Sequence, residues 1–154
     1  MKTAVDLDTA TAGFTVRNLG RTVSGSAPVR QAEVDLGPDG ELEFVTGTVE
    51  LAAIDTHNPK RDKDLRKPGL LDLDAHPMAT FTSEEIDRSD DGWTVRGSFN
   101  ARGRSIPLEF AVRVDGDTWE GTAHFDRKAL GVSAPSLFIG RTITVTARGR
   151  LRAG

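Results

Sequence analysis

The feature that most constrains this chain is an alternation of apolar and polar residues that recurs along most of its length. It is clearest where Trp93, Val95, Gly97, Phe99 and Ala101 alternate with polar residues. Side chains of a β-strand point alternately to opposite faces, so a period of two predicts strands with one buried and one solvated face. The chain is therefore predicted to be all-β, apart from short interruptions.

The alternation predicts eight strands separated by short turn sequences rich in Gly, Asp and Pro. Links of this kind join neighbouring strands as antiparallel hairpins. The predicted strands lie near residues 3–18, 22–36, 41–54, 78–87, 92–102, 105–115, 118–128 and 139–152. Eight such strands fit a closed barrel or a two-sheet sandwich, and we favour the barrel because closure leaves no exposed edge.

One segment between the third and fourth predicted strands, residues 57–77, breaks the alternation. Asn58 followed by Pro59 is typical of the N-cap and first position of a helix. A short helix ending at Pro68-Gly69 is therefore predicted here. At 154 residues, the chain is expected to form a single domain spanning 1–154.

Composition argues against several classes of function. The chain has 20 basic and 23 acidic side chains and a net charge of −3, whereas nucleic-acid-binding domains are usually strongly basic. No apolar run approaches the roughly 20 residues of a transmembrane helix, and Asp6 and Asp8 interrupt the stretch where a signal peptide would be apolar. No nucleic-acid partner and no integral membrane segment are therefore expected, and a cytoplasmic location is predicted.

The same composition gives no support for a metal or another cofactor. The chain has no cysteine, which excludes disulfides and thiolate ligands. Its histidines, His57, His76 and His124, are not at helical ligand spacing. Neither a metal site nor a cofactor is predicted.

Several inward positions of the predicted barrel carry small residues: Gly47, Gly97, Gly121, Gly149, Ala101, Ala123 and Ala147. An eight-stranded barrel is either filled by its side chains or holds one small ligand. Small residues would leave room for an elongated apolar molecule, but the glycines could equally relieve twist while large side chains fill the interior. The predicted cavity lining is Phe14, Val16, Val49, Leu51, Phe81, Trp93, Phe99, Phe110, Trp119, Phe125 and Val145.

Up-and-down connectivity would place four connections, near 18–22, 55–77, 102–105 and 128–139, at one end of the barrel. That end is rich in arginine, whose guanidinium group offers paired donors to phosphate or carboxylate oxygens. The predicted head-group rim contains Arg17, Arg61, Arg102, Arg127 and Arg141. The alternative is that these charges are solvated, or paired with nearby aspartates.

The residues around the predicted helix resemble the signature of the YceI-like family. That signature places Arg-Asp-x-x-Leu-Arg on a short helix after a strand, which corresponds here to Arg61-Asp62-x-x-Leu65-Arg66. Further matches follow in the expected order along nearly the whole chain: Leu71-Asp72, His76-Pro77, Thr80-Phe81, Gly13-Phe14-x-Val16-Arg17, Val95-x-Gly97-x-Phe99, Arg102-Gly103 with Pro107, and Asp126-Arg127 before Leu130-Gly131.

The resemblance implies a lipocalin-like, eight-stranded antiparallel barrel that holds a polyisoprenoid chain, such as an isoprenoid quinone or a polyprenyl phosphate. Three steps of the family pattern differ in this chain. Its usual His-Ser after the first strand is Thr9-Ala10, and its Asp-Phe-Gly step is Ala129-Leu130-Gly131. The His of its Arg-His-Leu-Gly step is Asn18, which we place at the head-group rim. If these positions contact the head group in relatives, the ligand here differs.

Three kinds of function are compatible with these residues. The favoured one is a binding protein, without catalytic residues, that carries or sequesters a hydrophobic isoprenoid-like ligand. An enzyme acting on a hydrophobic molecule would need an ionisable group such as Asp6, His124 or Asp126 inside the barrel, but the alternation places His124 and Asp126 outward. The third is a filled barrel that binds a partner; a homodimer is also possible.

Overall fold

The computed structural model describes residues 2–3, 5–18, 21–68, 71–131 and 142–151, and most of them lie in β-strands. The strands are β1 (Lys2–Thr3), β2 (Val5–Asn18), β3 (Arg21–Leu36), β4 (Leu42–Glu50), β5 (Met78–Arg88), β6 (Trp93–Ala101), β7 (Arg104–Asp115), β8 (Thr118–Asp126) and β9 (Thr142–Leu151). Among these described residues, one α-helix, α1 (Pro59–Leu65), lies between β4 and β5, and two 3-10 turns cover Leu51–Ala53 and Arg127–Leu130.

The strands β2 to β9 form a closed antiparallel barrel. Each pairs with the next along the chain, and β2 pairs with β9 to complete the ring. The short β1 adds to β3 beside this ring. The predicted eight-stranded barrel with one short helix between its third and fourth strands is confirmed. Because consecutive strands run in opposite directions, the β2–β3, β4–β5, β6–β7 and β8–β9 connections share one end, which we call the helix end.

Burial follows the predicted alternation most closely in β6. Trp93, Val95, Gly97, Phe99 and Ala101 are all buried, while the residues between them are partly or fully exposed. The inner faces of the strands supply a large apolar core cluster, and a smaller one lies around the first half of β2. The outer faces are polar, as the sequence predicts.

Two predicted strands end earlier than expected. The predicted strand 41–54 ends at Glu50, because the chain turns there and buries Leu51 while the Ala52 amide donates to the Pro77 carbonyl. The predicted strand 118–128 ends at Asp126, whose carboxylate accepts from the Lys128 amide and caps the following 3-10 turn. Residues 139–141 and 152 of the last predicted strand lie outside the described residues.

Helix α1 begins as predicted and ends sooner. The Asn58 side chain accepts a hydrogen bond from the Arg61 amide at 3.1 Å, and Pro59 occupies the first turn. The helix ends at Leu65 because the Arg66 amide already bonds in the tighter pattern of a C-cap. The predicted end at Pro68-Gly69 is therefore wrong by less than one turn of helix, and Gly69 lies outside the described residues.

Candidate functional site

The described residues enclose two adjoining cavities in the barrel interior. The upper chamber, at the helix end, has a volume of about 270 Å³. The lower chamber, towards the opposite end, has a volume of about 130 Å³. Small-molecule sites range over about 300–1,000 Å³, so the two chambers together reach the lower part of that range.

The upper chamber is mostly apolar. Five of the predicted cavity residues line it: Phe14, Val16, Leu51, Phe99 and Phe125. Sequence reasoning missed Leu65 and Leu71 from the α1 segment, Leu130 from the second 3-10 turn, and Ile143. Leu65, Leu71 and Leu130 come from the connections, where no alternating pattern shows which way a side chain faces. Ile143 lies in the alternating stretch at the start of β9, which places it inward, although the predicted lining omits it.

The lower chamber has an almost wholly apolar wall. Of the predicted cavity residues, Val49, Phe81, Phe110, Trp119 and Val145 line it, together with Phe14 and Phe99, which belong to both chambers. The rings of Phe81 and Phe110 meet edge to face with centroids 4.8 Å apart. This chamber can accept hydrocarbon and offers little to a charged group.

Trp93 corrects the prediction, because it lines neither chamber. Its side chain is inward and only 8% of the residue is exposed, but its indole nitrogen donates to the Glu41 carboxylate at 2.9 Å. The Arg88 guanidinium carbon lies 4.8 Å from the centre of its ring. These contacts hold Trp93 at the end opposite α1, which we call the closed end.

Both interpretations of the small inward residues apply, at different positions. Gly47 and Gly121 line the lower chamber, and the nearest atom to a Cβ at Gly47 would be 3.6 Å away. A Cβ at Gly97 would lie 2.1 Å from the Thr82 carbonyl oxygen, and one at Gly149 2.9 Å from the Trp119 ring. Gly47 and Gly121 therefore give space to the cavity, whereas Gly97 and Gly149 allow a close approach of backbone or ring.

Three arginines of the predicted rim line the upper chamber, namely Arg61, Arg102 and Arg127. Arg127 is 4% exposed, which places its guanidinium among the buried groups of the wall. Arg17 and Asn18 end β2 at the helix end, with side chains outside the described part of the structure. Arg141 lies outside the described residues.

Arg102 is largely committed to holding the fold. Its guanidinium donates to the carbonyl oxygens of Leu130 at 3.0 Å and Pro68 at 2.5 Å, joining the second 3-10 turn to the α1 segment. With φ near 54° and followed by Gly103 at 72°, Arg102 forms the two-residue turn between β6 and β7. Left-handed residues at both central positions match the twist of a hairpin.

Arg61 is in a different situation. Its side chain lines the upper chamber from the first turn of α1. Within the described part of the chain, its guanidinium makes no hydrogen bond or ion pair with another residue. Asp64, which lines the same chamber, is paired with Lys67 at 3.1 Å. Among the described residues that line the upper chamber, Arg61 is thus a cation whose charged group no other side chain or carbonyl engages.

The segment that carries Arg61 is fixed across the helix end by polar contacts. Ser26 and Asp55 exchange two main-chain hydrogen bonds of 3.0 and 2.9 Å. The Asp62 carboxylate accepts from the Thr56 amide at 3.1 Å and from the hydroxyl of the same threonine, which is 8% exposed. The Arg66 guanidinium donates to the Ala52 carbonyl at 3.1 Å. Asp62 and Arg66 thus position the segment, while Arg61 and Leu65 face the chamber.

The candidates for catalysis lie elsewhere. His124 is exposed on the outer face, and its Nδ1 lies 2.9 Å from the Thr144 hydroxyl oxygen. The Asp126 carboxylate caps the 3-10 turn. No group of three or more potential metal ligands occurs among the described residues, and no described helix is long and apolar enough to cross a membrane.

Comparison with known families matches residues 4–151 to a model described as the YceI-like domain. UPF0312 proteins of Pectobacterium atrosepticum and Yersinia enterocolitica are each 32% identical to this chain, over 78 and 80 residues respectively. These matches cover 49% and 50% of this chain but only 41% and 42% of the relatives. The chain therefore spans about two fifths of the length of the curated relatives it matches.

Solved structures share the fold. BcnA of Burkholderia cenocepacia has a TM-score of 0.79 at 18% identity, with 97% of this chain and 99% of that one covered. A polyisoprenoid binding domain from Saccharophagus degradans, implicated in plant cell wall breakdown, has a TM-score of 0.68 at 12% identity, with 99% and 98% covered. At these identities the likeness extends to the fold alone.

Proposed function

This chain belongs to the YceI-like family, and on that premise we propose that it binds a hydrophobic isoprenoid-like molecule inside its barrel. The observation that carries the proposal is the polarity gradient of the interior. The lower chamber is almost wholly apolar, and the upper chamber adds arginine side chains to an apolar wall. A molecule with an apolar tail and a polar head matches this order, and a structural relative is itself a polyisoprenoid binding domain.

Binding of the tail is driven by removal of apolar surface from water, at about 25 cal/mol per Å². The walls that receive it are aromatic and aliphatic side chains such as Phe81, Phe110 and Val145. An isoprenoid chain is branched and apolar throughout, and it needs no hydrogen-bond partner in such a site. The lower chamber is therefore proposed to hold the distal part of the tail.

The head group is proposed to lie beside Arg61. A guanidinium forms charge-assisted and often paired hydrogen bonds to phosphate oxygens, and the Arg61 guanidinium has no competing partner in the described part of the chain. Of the two candidate ligands, a polyprenyl phosphate uses this donor fully. An isoprenoid quinone would use it as a hydrogen-bond donor to a neutral carbonyl, which is the weaker interaction.

The proposed role is to carry or sequester the ligand without changing it. His124 faces outward and Asp126 caps a turn, so neither reaches a ligand inside the barrel. The interior cavities also favour a binding site over a filled barrel that serves only as a partner module. A cytoplasmic location and a homodimer stay predictions, to be checked by cell fractionation and by sedimentation analysis.

Native mass spectrometry of the protein purified from its own cells tests the proposal. We expect an adduct at near-equal stoichiometry, which organic extraction identifies as an isoprenoid quinone or a polyprenyl phosphate. The same protein stripped of lipid should take up a prenyl phosphate added in solution. A protein that is isolated empty and also fails to take up prenyl phosphates or prenyl quinones would contradict the proposed function.

A further inference from the structure

The boundary between the two chambers is made by two aromatic side chains. Phe14 and Phe99 are the residues that line both the upper and the lower chamber. A tail that reaches from one chamber into the other therefore passes beside these two rings. We call this boundary the neck.

The two rings approach the barrel axis from opposite walls. Phe14 lies on β2 and Phe99 on β6. In the ring of strands from β2 to β9, three strands separate β2 from β6 on either side. Two inward side chains so placed lie on opposite walls of the interior.

The two sides of the neck are held to different degrees. Phe99 is 6% exposed, its ring centroid is 5.7 Å from that of Phe125, and its neighbours on the flanking strands are Phe81 and Ile106. This ring is enclosed by other large side chains. Rotating it would displace several of them, which a packed interior resists.

Phe14 has more freedom. It is only partly buried and lies where the two core clusters meet. One of its neighbours across the strands is Gly25, which has no side chain, and the other is Val145. Among the described residues, Phe14 makes no ring–ring contact. A change of rotamer at Phe14 therefore costs fewer contacts than one at Phe99.

From this asymmetry we infer that Phe14 is the specificity-determining residue for tail length. With its ring across the neck, a tail occupies only the upper chamber. With its ring turned aside, the two chambers join and a longer tail extends into the lower chamber. The inference rests on the proposed function, because it concerns how the same cavity selects among prenyl ligands.

Intrinsic fluorescence gives a direct measurement of tail depth. The chain has two tryptophans, and Trp119 lines the lower chamber whereas Trp93 lines neither. In a Trp93→Phe background, Trp119 therefore reports occupation of the lower chamber. Geranyl, farnesyl and geranylgeranyl phosphates form a series with one head group and increasing tail length. Affinity for each is measured in the parent and in Phe14→Ala.

In the parent, we expect the geranyl ligand to leave Trp119 fluorescence nearly unchanged and the geranylgeranyl ligand to change it. A longer tail must displace the Phe14 ring, so part of its binding energy is lost. Phe14→Ala removes that cost and should raise the preference for geranylgeranyl over geranyl phosphate by about three- to tenfold, in line with the cost of an unfavourable rotamer. Because the preference is a ratio of two affinities measured in the same variant, an effect of the substitution that weakens binding of both ligands equally does not change it.

Phe44→Ala is the matched control, because Phe44 is partly buried and lines neither chamber. It should leave the length preference of the parent unchanged. Phe14→Leu provides a smaller truncation that tests the same position if the alanine variant fails to fold, and its preference should lie between those of parent and alanine variant.

The outcomes separate the two proposals. A parent that binds the series with a length preference that neither Phe14 variant changes overturns the role of Phe14 and leaves the proposed function standing. An equal change in Phe44→Ala also overturns it, because the effect would then be a general loosening of the barrel. A parent that binds no prenyl phosphate of any length contradicts the proposed function itself.

Discussion

The helix end and the closed end of this barrel are built in different ways. At the helix end, the connection from β4 to β5 runs through α1. Asp62 and Arg66 bond to main chain within this connection, and Arg102 bonds to it from the β6–β7 turn. At the closed end, short turns join the strands, and the buried Trp93 donates from its indole nitrogen to Glu41.

The difference shows how one barrel can be both stable and accessible. Hydrogen bonds across the helix end can break without disturbing any strand ladder. Local opening of this end therefore costs less free energy than unfolding of the whole barrel. Opening the closed end would expose Trp93 and the apolar core behind it. We therefore expect ligands to enter at the helix end and stability to depend more on the closed end.

The largest expected effect tests the closed end. Trp93→Ala removes a buried aromatic side chain and should lower the free energy of unfolding by about 3–5 kcal/mol, measured by urea denaturation. Trp93→Phe keeps most of the packing and loses the bond to Glu41, so we expect a loss of about 1 kcal/mol. Affinity for geranyl phosphate at the helix end should change little in Trp93→Phe. A parallel fall in that affinity would show that the two ends are coupled.

The second effect tests the contacts that fix the α1 segment. Asp62→Ala leaves the buried Thr56 amide and hydroxyl without their acceptor, which costs about 1–3 kcal/mol. Since the loss is local, hydrogen exchange should accelerate in residues 54–66 and stay unchanged in β6. The control is Lys63→Ala, which removes an exposed side chain from the same helix. Uniform acceleration throughout the barrel would contradict the independence of the helix end.

The third effect concerns charge at the helix end. Arg61→Gln should weaken binding of a prenyl phosphate about tenfold, since a charge-assisted hydrogen bond is lost. Binding of the corresponding prenyl alcohol should change much less. Lys60→Gln is the matched control, because Lys60 is exposed on the same helix and does not line the chamber. Equal losses in both variants would mean that only overall charge matters. Isothermal titration calorimetry measures the affinity of the parent and of each variant for the prenyl phosphate and for the prenyl alcohol.

The smallest effect is expected on the outer wall. A hydrogen bond with Asp87 raises the pKa of Arg96 above its ordinary value, and Glu109 and Glu85 add to this. The side chain therefore stays charged at every pH at which the barrel would be studied, and its charge gives no pH dependence there. Because these groups are exposed and screened, Arg96→Ala should leave the melting temperature unchanged within error in calorimetry. A clear fall in the melting temperature of Arg96→Ala would show that the outer wall contributes to stability.

Much of the fold was predictable because the signals are local. The alternation in β6 states which way each side chain faces, and the five inward residues from Trp93 to Ala101 are all buried. Asn58 and Pro59 similarly mark the start of α1 through contacts within one turn of helix. Each of these features depends on residues a few positions apart.

The site was only partly predictable because its contacts are distant in sequence. Trp93 is separated by 52 positions from Glu41, the residue that holds it away from both chambers. Arg102 is separated by 34 positions from Pro68 and by 28 from Leu130, so nothing in the hairpin shows that its guanidinium is already occupied. Ten of the eleven predicted lining residues do face a chamber, but the pattern could not distinguish a free arginine from a committed one.

Because β2 pairs with β9, every strand of the closed barrel has a neighbour on both sides, including the strands nearest the two chain ends. Val5 lies opposite Leu151 in that ladder, so the first and last long strands are neighbours like any other pair. A short linker between them would make the sequence circular, and new termini could be cut at the exposed turn at 38–40, where backbone changes are best tolerated. Such a circular permutant would preserve every rung of the barrel, and its new chain ends would lie at the closed end, where β2 begins and β9 ends in the original order.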